Sequence, residues 1–412
     1  MKSAWILIFA LLLRGISMAN SLLIPMDISQ KDHLKAYGIA YHFLNKNIPV
    51  DWLLNYRGGS FMMDFTPAIE SECRVRGVTY EIISSAKVNS ILSEISSPAV
   101  NMNVVRMERA PRVAVYSPKS EFILDETDAV ILVLQYAEIP YDIIYDEEIH
   151  NNALAKYDWL HLHHEDFTGQ AGKVRWRESA VLEFKVQEAT AVKLGYRNVS
   201  EMKLVMAKKI KSFCAGGGYL FAMCSAAETI DIALAAEGFD YDMLMFDGDP
   251  DASAQDFFDF EQSFAFENFT LESTDNRRFS DINVGRGGWG PSGDYFTLFN
   301  FSAKWDIVPS LLSQNHTQVI REFSGLTTAF NKFLVKPEVL VLAENKNASN
   351  VRYLYGELGK GHWTFYSGHD PEGVSGRGRA PTDLSLHPNS PGYRLILNNV
   401  LFPSAQKKKQ KT

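Results

Sequence analysis

The sequence predicts an open α/β fold with a parallel β-sheet. Short apolar runs alternate with helix-like segments along most of the chain. One apolar run, residues 219–223, ends in a cysteine with small neighbours and leads directly into a helix-like segment. A later run, residues 362–367, ends two residues before a histidine. Alternating strands and helices favour a parallel sheet covered by helices, and sites form at the carboxyl ends of its strands.

The N-terminal part of the chain follows the same alternation. Apolar runs predict strands at 22–25, 49–55 and 79–83. Segments with helical periodicity lie between and after them, at 33–44, 69–76 and 86–95. We therefore expect an N-terminal α/β unit with a parallel sheet, either as a second α/β domain or as an extension of the sheet that follows.

A second alternating unit begins at residue 112. The strands predicted before the cysteine are 113–116, 141–144 and 157–162, and the helices are 126–137, 177–194 and 199–213. Residues 239–314 break the pattern, because they are rich in Asp, Phe and Gly, and we expect an irregular insertion that covers the site. Residues 351–357 and 362–367 then flank a Gly-Lys-Gly turn and predict a hairpin, and 393–401 predicts a closing helix.

The start of the chain resembles a secretory signal peptide. Lys2 precedes an apolar run at 4–13, and Ser17-Met18-Ala19 fits the rule of small residues around a cleavage site. The apolar run is too short to span a bilayer comfortably, and no later segment reaches that length. We therefore expect an exported protein, periplasmic or extracellular, without a transmembrane segment.

These observations give a domain division. It comprises a signal peptide at 1–19, the N-terminal α/β unit at 20–108, a core formed by 109–240 and 338–402, the insertion at 241–337, and a basic tail at 403–412. The net charge of −8 argues against nucleic acid as a partner. No nucleotide-binding or cofactor motif occurs with the required spacing, so we expect no cofactor.

Cys224 is the main candidate for chemistry. It follows Ala222 and Met223 at the predicted strand end and precedes Ser225 and Ala226. A turn that exposes a nucleophile at the start of a helix tolerates only small neighbours, and the helix N-terminus favours the thiolate. The chain has three cysteines, so at least one thiol is free, and a disulfide between Cys73 and Cys214 is compatible with a free Cys224. The alternative is a small buried residue at the end of a core strand.

His369 is the predicted general base for this cysteine. It follows a predicted strand, and a base needs an acceptor that orients its other ring nitrogen. Asp370 and Glu372 are both near in sequence, and we favour Glu372 because adjacent side chains usually point apart. The alternative is a loop histidine that bonds locally.

A third cluster, residues 161–170, contains three histidines and two acids at a strand end. We expect it to line the mouth of the site, with a glycine N–H that serves as an oxyanion donor. A metal site at His161, His163 and Glu165 is a further possibility, although no resident metal is our primary expectation. The predicted substrate-binding residues are His163, His164, Glu165, Thr168, Gly169, Ser225 and Glu228.

The order of strand, cysteine turn, helix and late strand with His369 and Glu372 resembles the class I glutamine amidotransferase-like superfamily. This resemblance implies a flavodoxin-like three-layer α/β/α fold and a triad of Cys224, His369 and Glu372. The segments 355–362 and 368–370 resemble the ThuA-like branch, and residues 23–27 and 53–61 resemble exported bacterial proteins labelled "asparagine synthetase B". That label implies glutamine-dependent amide transfer.

Some residues depart from the amidotransferase pattern. Ala222 and Ala226 stand where the family usually has glycines, and Glu228 stands where it has a glutamine that helps to bind substrate. We therefore expect a hydrolase that acts on an amide or related acyl group of a small molecule, peptide or carbohydrate. The alternative is a non-catalytic carbohydrate- or peptide-binding module whose insertion supplies aromatic side chains, namely Phe257, Phe258, Phe260, Phe264, Phe266, Trp289, Tyr295 and Phe296. The sequence does not indicate an oligomeric state.

Overall fold

A computed structural model describes most of the chain and shows a mixed α/β protein with two β-sheets. The described residues are 20–118, 128–163, 165–169, 178–237, 254–272, 278–286, 294–373 and 381–405. The predicted signal peptide, His164, Trp289 and most of the basic tail lie outside them. Within the part of the chain that is described, no helix combines the length and the apolar character that a membrane span requires.

The N-terminal sheet has five strands and is antiparallel throughout, so the predicted parallel sheet is wrong here. Its strand order is β4-β1-β3-β2-β5, and its strands are β1 (Asn20–Ile24), β2 (Val50–Leu54), β3 (Ser60–Asp64), β4 (Glu81–Ser84) and β5 (Asn103–Met107). The link between β2 and β3 is only residues 55–59, and a parallel crossover needs a dozen or more residues. The helices of this unit are α1 (His33–Asn45), α2 (Pro67–Val75) and α3 (Ser85–Ser96).

The second sheet contains five neighbouring parallel strands, in the order β7-β6-β8-β9-β15, followed by an antiparallel extension. The parallel strands are β6 (Val113–Tyr116), β7 (Asp142–Ile144), β8 (Trp159–Leu162), β9 (Tyr219–Met223) and β15 (Gly361–Tyr366). The extension contains β10 (Tyr295–Leu298), β11 (Val319–Arg321), β12 (Phe330–Asn331), β13 (Leu340–Asn345) and β14 (Asn350–Leu358). The antiparallel pairing of β14 with β15 confirms the predicted hairpin.

Helices cover both faces of the parallel strands. The described ones are α4 (Ala129–Tyr136), α5 (Asp146–His150), α6 (Glu178–Lys193), α7 (Val199–Ala215), α8 (Cys224–Ala235), α9 (Ile307–Leu312) and α10 (Pro391–Leu401). Val113 and Val115 of β6 pack in the cluster that contains α4 and α10, whereas Ala114 packs in the cluster that contains α7 and α8. This alternation follows from the two-residue period of a strand.

Arg394 of α10 joins the N-terminal unit to the second sheet. Its guanidinium is fully buried and donates hydrogen bonds to the carbonyl oxygens of Met26 (2.9 Å) and Gly58. Two histidines lie against this cation, and their ring centroids, in His33 and His316, are 4.6 Å apart. Burial and the charge of Arg394 lower the pKa of His33 to about 3 and that of His316 to about 4.

These two histidines predict a loss of stability in acid. The folded state holds both pKa values below the unfolded value, so their contribution is complete above about pH 6.5 and decreases as the pH falls toward 4. At pH 5 each histidine costs about 2 kcal/mol of unfolding free energy. We expect His316→Gln to reduce the loss between pH 7 and pH 5 by about that amount in urea denaturation. A loss equal to that of the wild type would contradict this assignment.

Candidate functional site

Cys224 occupies the sharp turn between β9 and α8, as the sequence predicts. Its φ is 53°, in the left-handed region that costs a non-glycine residue about 1–2 kcal/mol. The flanking Ala222, Ser225 and Ala226 are buried, so larger side chains would have no room there. A strained backbone at a cysteine directed toward the carboxyl edge of a parallel sheet marks a candidate site.

Residues 324–328, which we call the covering segment, lie directly on this turn. The backbone N–H groups of Leu326 and Thr327 donate to Sγ of Cys224, at 3.3 and 3.4 Å. The thiol is consequently fully buried. The covering segment is fixed by backbone hydrogen bonds with residues 368–370, including Gly368 N–H to the Thr327 carbonyl (2.6 Å) and His369 N–H to the Ser324 carbonyl (2.8 Å).

Glu228, one turn along α8, bonds to the covering segment. Its Oε2 accepts a hydrogen bond from Oγ1 of Thr327 (2.7 Å), and its Oε1 accepts from the backbone N–H and the hydroxyl of Ser280 (3.0 and 2.7 Å). Both carboxylate oxygens are thus engaged by the protein. These contacts give Glu228 a structural role, and its predicted substrate-binding role stays a prediction.

The thiol of Cys224 has a raised pKa, contrary to the expectation of a thiolate favoured by the helix N-terminus. Burial raises it most, and the charge of Glu228 acts in the same direction. The N–H groups of Thr327, Leu326 and Ser225 lower it but do not compensate for burial. The resting site therefore contains a neutral thiol that needs a base.

His369 lies next to this thiol, just beyond the end of β15. A methyl group added to Gly325 would lie 3.0 Å from Sγ of Cys224 and 3.0 Å from Cδ2 of His369, so the covering segment brings both side chains to one point. Glu372, the predicted orienting acid, faces another histidine: its Oε2 lies 3.4 Å from Nδ1 of His387. Glu372 is directed to His387 because Pro371 and the turn at Asp370 carry the chain past the site.

A buried histidine and an aspartate on neighbouring elements approach His369 instead. The ring of His163 meets that of His369 edge to face, with centroids 4.6 Å apart. Nδ1 of His163 lies 2.9 Å from Oδ2 of Asp128, and Nε2 of His161 lies 3.3 Å from the same oxygen. Burial alone would raise the pKa of Asp128, but these imidazoles hold it well below its usual range. Sequence reasoning missed Asp128, whose only local signal is its position as the N-cap of α4.

The remaining residues of the 161–170 cluster face elsewhere in the described structure. Glu165 forms an ion pair with the buried Lys203 (2.8 Å), which also contacts Asp146 (3.0 Å). Thr168 accepts a hydrogen bond from Ser200 at the start of α7, where Gly169 also packs. The described residues include no group of His, Cys, Asp and Glu that could hold a metal ion, so the alternative of a metal site receives no support.

Cys73 and Cys214 are both free and buried. The disulfide that the sequence allows between them is therefore not formed. Burial raises the pKa of each thiol to about 12. Cys224 is distinguished from them by its strained backbone and by the adjacent histidine.

No protein-family model matches the chain, and no curated protein matches it. Solved structures that resemble it include cytoplasmic protein STM1381 from Salmonella typhimurium LT2 (12% identity, 76% of this chain and 94% of that chain, TM-score 0.37). Cytoplasmic protein STM3548 from Salmonella typhimurium is similar at 9% identity over 73% and 89% (TM-score 0.36). Gan42B, a GH42 beta-galactosidase from G. stearothermophilus, is similar at 11% identity over 64% and 28% (TM-score 0.28).

These comparisons correct one prediction. Both Salmonella proteins are named as cytoplasmic proteins, which contradicts our expectation of an exported, periplasmic or extracellular protein. We do not retain that expectation. With TM-scores below 0.5, the likeness carries no argument about the site.

The engagement of Glu228 predicts how Cys224 becomes accessible. We expect Glu228→Ala to lower the unfolding free energy by about 3 kcal/mol, because hydrogen bonds to a buried charged group are lost. We also expect at least about tenfold faster alkylation of Cys224 by iodoacetamide in the folded protein, since the covering segment opens more often. Peptide mapping measures this rate, with Cys73 and Cys214 as internal controls.

Glu237→Ala is the matched control for this experiment. Glu237 is an exposed glutamate just beyond the end of α8, where it pairs with Lys208. Its removal should leave the alkylation rate of Cys224 unchanged. Equal rates in Glu228→Ala and the wild type would refute the role assigned to Glu228.

Proposed function

We propose that this protein is a cysteine-dependent hydrolase that acts on an amide or related acyl substrate, with Cys224 as nucleophile and His369 as general base. The observation that carries the proposal is that Gly325 lies against both Sγ of Cys224 and the ring of His369, while two backbone N–H groups donate to the same sulfur. A nucleophile within reach of a base, together with donors for developing negative charge, is the arrangement that acyl transfer requires.

The topology supports this proposal. The parallel strands follow the order β7-β6-β8-β9-β15, which is the 2-1-3-4-5 order of flavodoxin-like sheets when they are numbered along the chain. Cys224 follows the fourth of these strands and His369 follows the fifth. A flavodoxin-like three-layer core of the amidotransferase-like type is the finer fold that we propose.

The raised thiol pKa determines the first step. The substrate meets a neutral thiol, and the S–H proton moves to the imidazole of His369 as Sγ bonds to the carbonyl carbon. The N–H groups of Leu326 and Thr327, which face Sγ, stabilise negative charge at the reacting centre. His369 then gives its proton to the leaving amine as the C–N bond breaks. It next takes a proton from water, whose oxygen bonds to the thioester carbon, and the C–S bond breaks to release the acid while His369 returns the proton to Sγ.

Two features bear on the substrate. Because both oxygens of Glu228 are bonded to Ser280 and Thr327, Glu228 does not replace the glutamine-binding residue of the amidotransferase pattern, and we propose no preference for glutamine. Because Cys224 is fully buried, a substrate enters only when the covering segment moves. A small acyl compound fits this requirement better than a folded protein.

The burial of the thiol also favours a second candidate, a non-catalytic module on the same fold. Several described aromatic side chains of the insertion pack on each other, whereas Phe257 and Tyr295 are 58% and 56% exposed. Phe258, Phe260 and Phe269 form one packed group, with centroids 4.9–6.2 Å apart. A carbohydrate- or peptide-binding module would therefore use the exposed rings rather than these packed ones.

One experiment separates the two candidates. We expect the full chain to hydrolyse at least one member of a panel of small amides and aryl esters, and Cys224→Ala and His369→Ala each to lower kcat/KM by at least about 100-fold. Cys214→Ala, which removes another buried thiol, is the control and should retain the activity. Full activity in Cys224→Ala would exclude the proposed hydrolase, and binding without turnover would favour the module.

A further inference from the structure

His369 has to become an imidazolium in a buried site if it accepts the proton of Cys224. A buried cation is costly unless an opposite charge stabilises it. His369 is only 4% exposed, so solvent gives it little help. The acid that the sequence suggests, Glu372, is paired with His387.

Asp128 is a buried carboxylate next to His163, and the ring of His163 in turn contacts the ring of His369. It lies at the start of α4, and its Oδ1 accepts the N–H groups of Val130 and Ile131 (2.6 and 3.3 Å), which fixes its position. Its Oδ2 faces Nδ1 of His163, whose ring contacts that of His369. Asp128 at the start of α4, His163 just after β8 and His369 just after β15 thus lie side by side in that order.

We propose that Asp128 and His163 are the positioning residues of this site, and that they take the place that the sequence assigns to Glu372. This inference rests on the proposed Cys224–His369 chemistry. When the S–H bond breaks and the N–H bond of His369 forms, Asp128 keeps its negative charge and stabilises the new imidazolium across the ring of His163. His163 holds the His369 ring in place through edge-to-face packing.

Other ionisable groups lie near His369 and Cys224, and each of them contacts residues other than His369. Oδ1 of Asp370 accepts the backbone N–H groups of Glu372 and Gly373 (3.2 and 3.1 Å). Glu228 bonds to the covering segment and lies on the cysteine side. His161 contacts Oδ2 of Asp128 with its Nε2 and directs its Nδ1 to the Phe221 carbonyl (3.2 Å). It therefore helps to hold the aspartate in place.

The test is the pH dependence of Cys224 alkylation in the full chain, measured by peptide mapping with iodoacetamide. The midpoint is compared rather than the rate, because opening of the covering segment scales the rate equally at every pH. We expect Asp128→Asn and His163→Gln each to raise the midpoint by about 1 pH unit, in the direction of His369→Ala. Asparagine is also a good N-cap, so Asp128→Asn keeps the start of α4.

Glu372→Gln is the matched control, because it makes the same acid-to-amide change on the residue that pairs with His387. Its midpoint should equal that of the wild type. An unchanged midpoint in Asp128→Asn or His163→Gln, with a raised one in His369→Ala, would overturn the inference and leave the proposed function standing. An unchanged midpoint in His369→Ala would instead overturn the proposed function and this inference with it.

Discussion

The packing of the covering segment on the turn at Cys224 is the contact on which the site depends. It places two N–H donors on the thiol, closes the thiol from solvent and sets Gly325 against both Sγ and the ring of His369. The same contact raises the thiol pKa, because burial outweighs the hydrogen bonds. The proposed nucleophile therefore needs a base, and we infer that the surrounding acids affect how well that base works.

Helix α8 carries Cys224 at its first residue and anchors the insertion through two buried acids. Glu228 bonds to Ser280 and Thr327, and Asp231 accepts the N–H groups of Phe264, Ala265 and Phe266 (2.6, 2.7 and 3.0 Å). Burial raises the pKa of Asp231 to about 6 despite these bonds. The same helix thus holds both the cysteine and the segment that covers it.

The sequence predicts the local features of this structure and misses those that depend on long-range packing. The turn at Cys224, the hairpin before His369 and the two-sided burial of β6 follow from spacing and residue size. The antiparallel N-terminal sheet does not, since alternating strands and helices leave strand pairing open. The roles of Asp128 and Glu228 also escape prediction, because the histidines that face Asp128 and the residues that bond to Glu228 lie 33 or more residues away.

The backbone of Cys224 gives a further reason to regard the site as chemical rather than only packed. A glycine would adopt its φ of 53° without the cost of about 1–2 kcal/mol that a side chain brings. Ala222, Ser225 and Ala226 already meet the steric demand for small residues around the turn. A cysteine here accepts strain, and its sulfur faces two N–H donors and a histidine ring. Packing alone requires neither the strain nor those neighbours, whereas the proposed nucleophile makes use of both the strained turn and the donors.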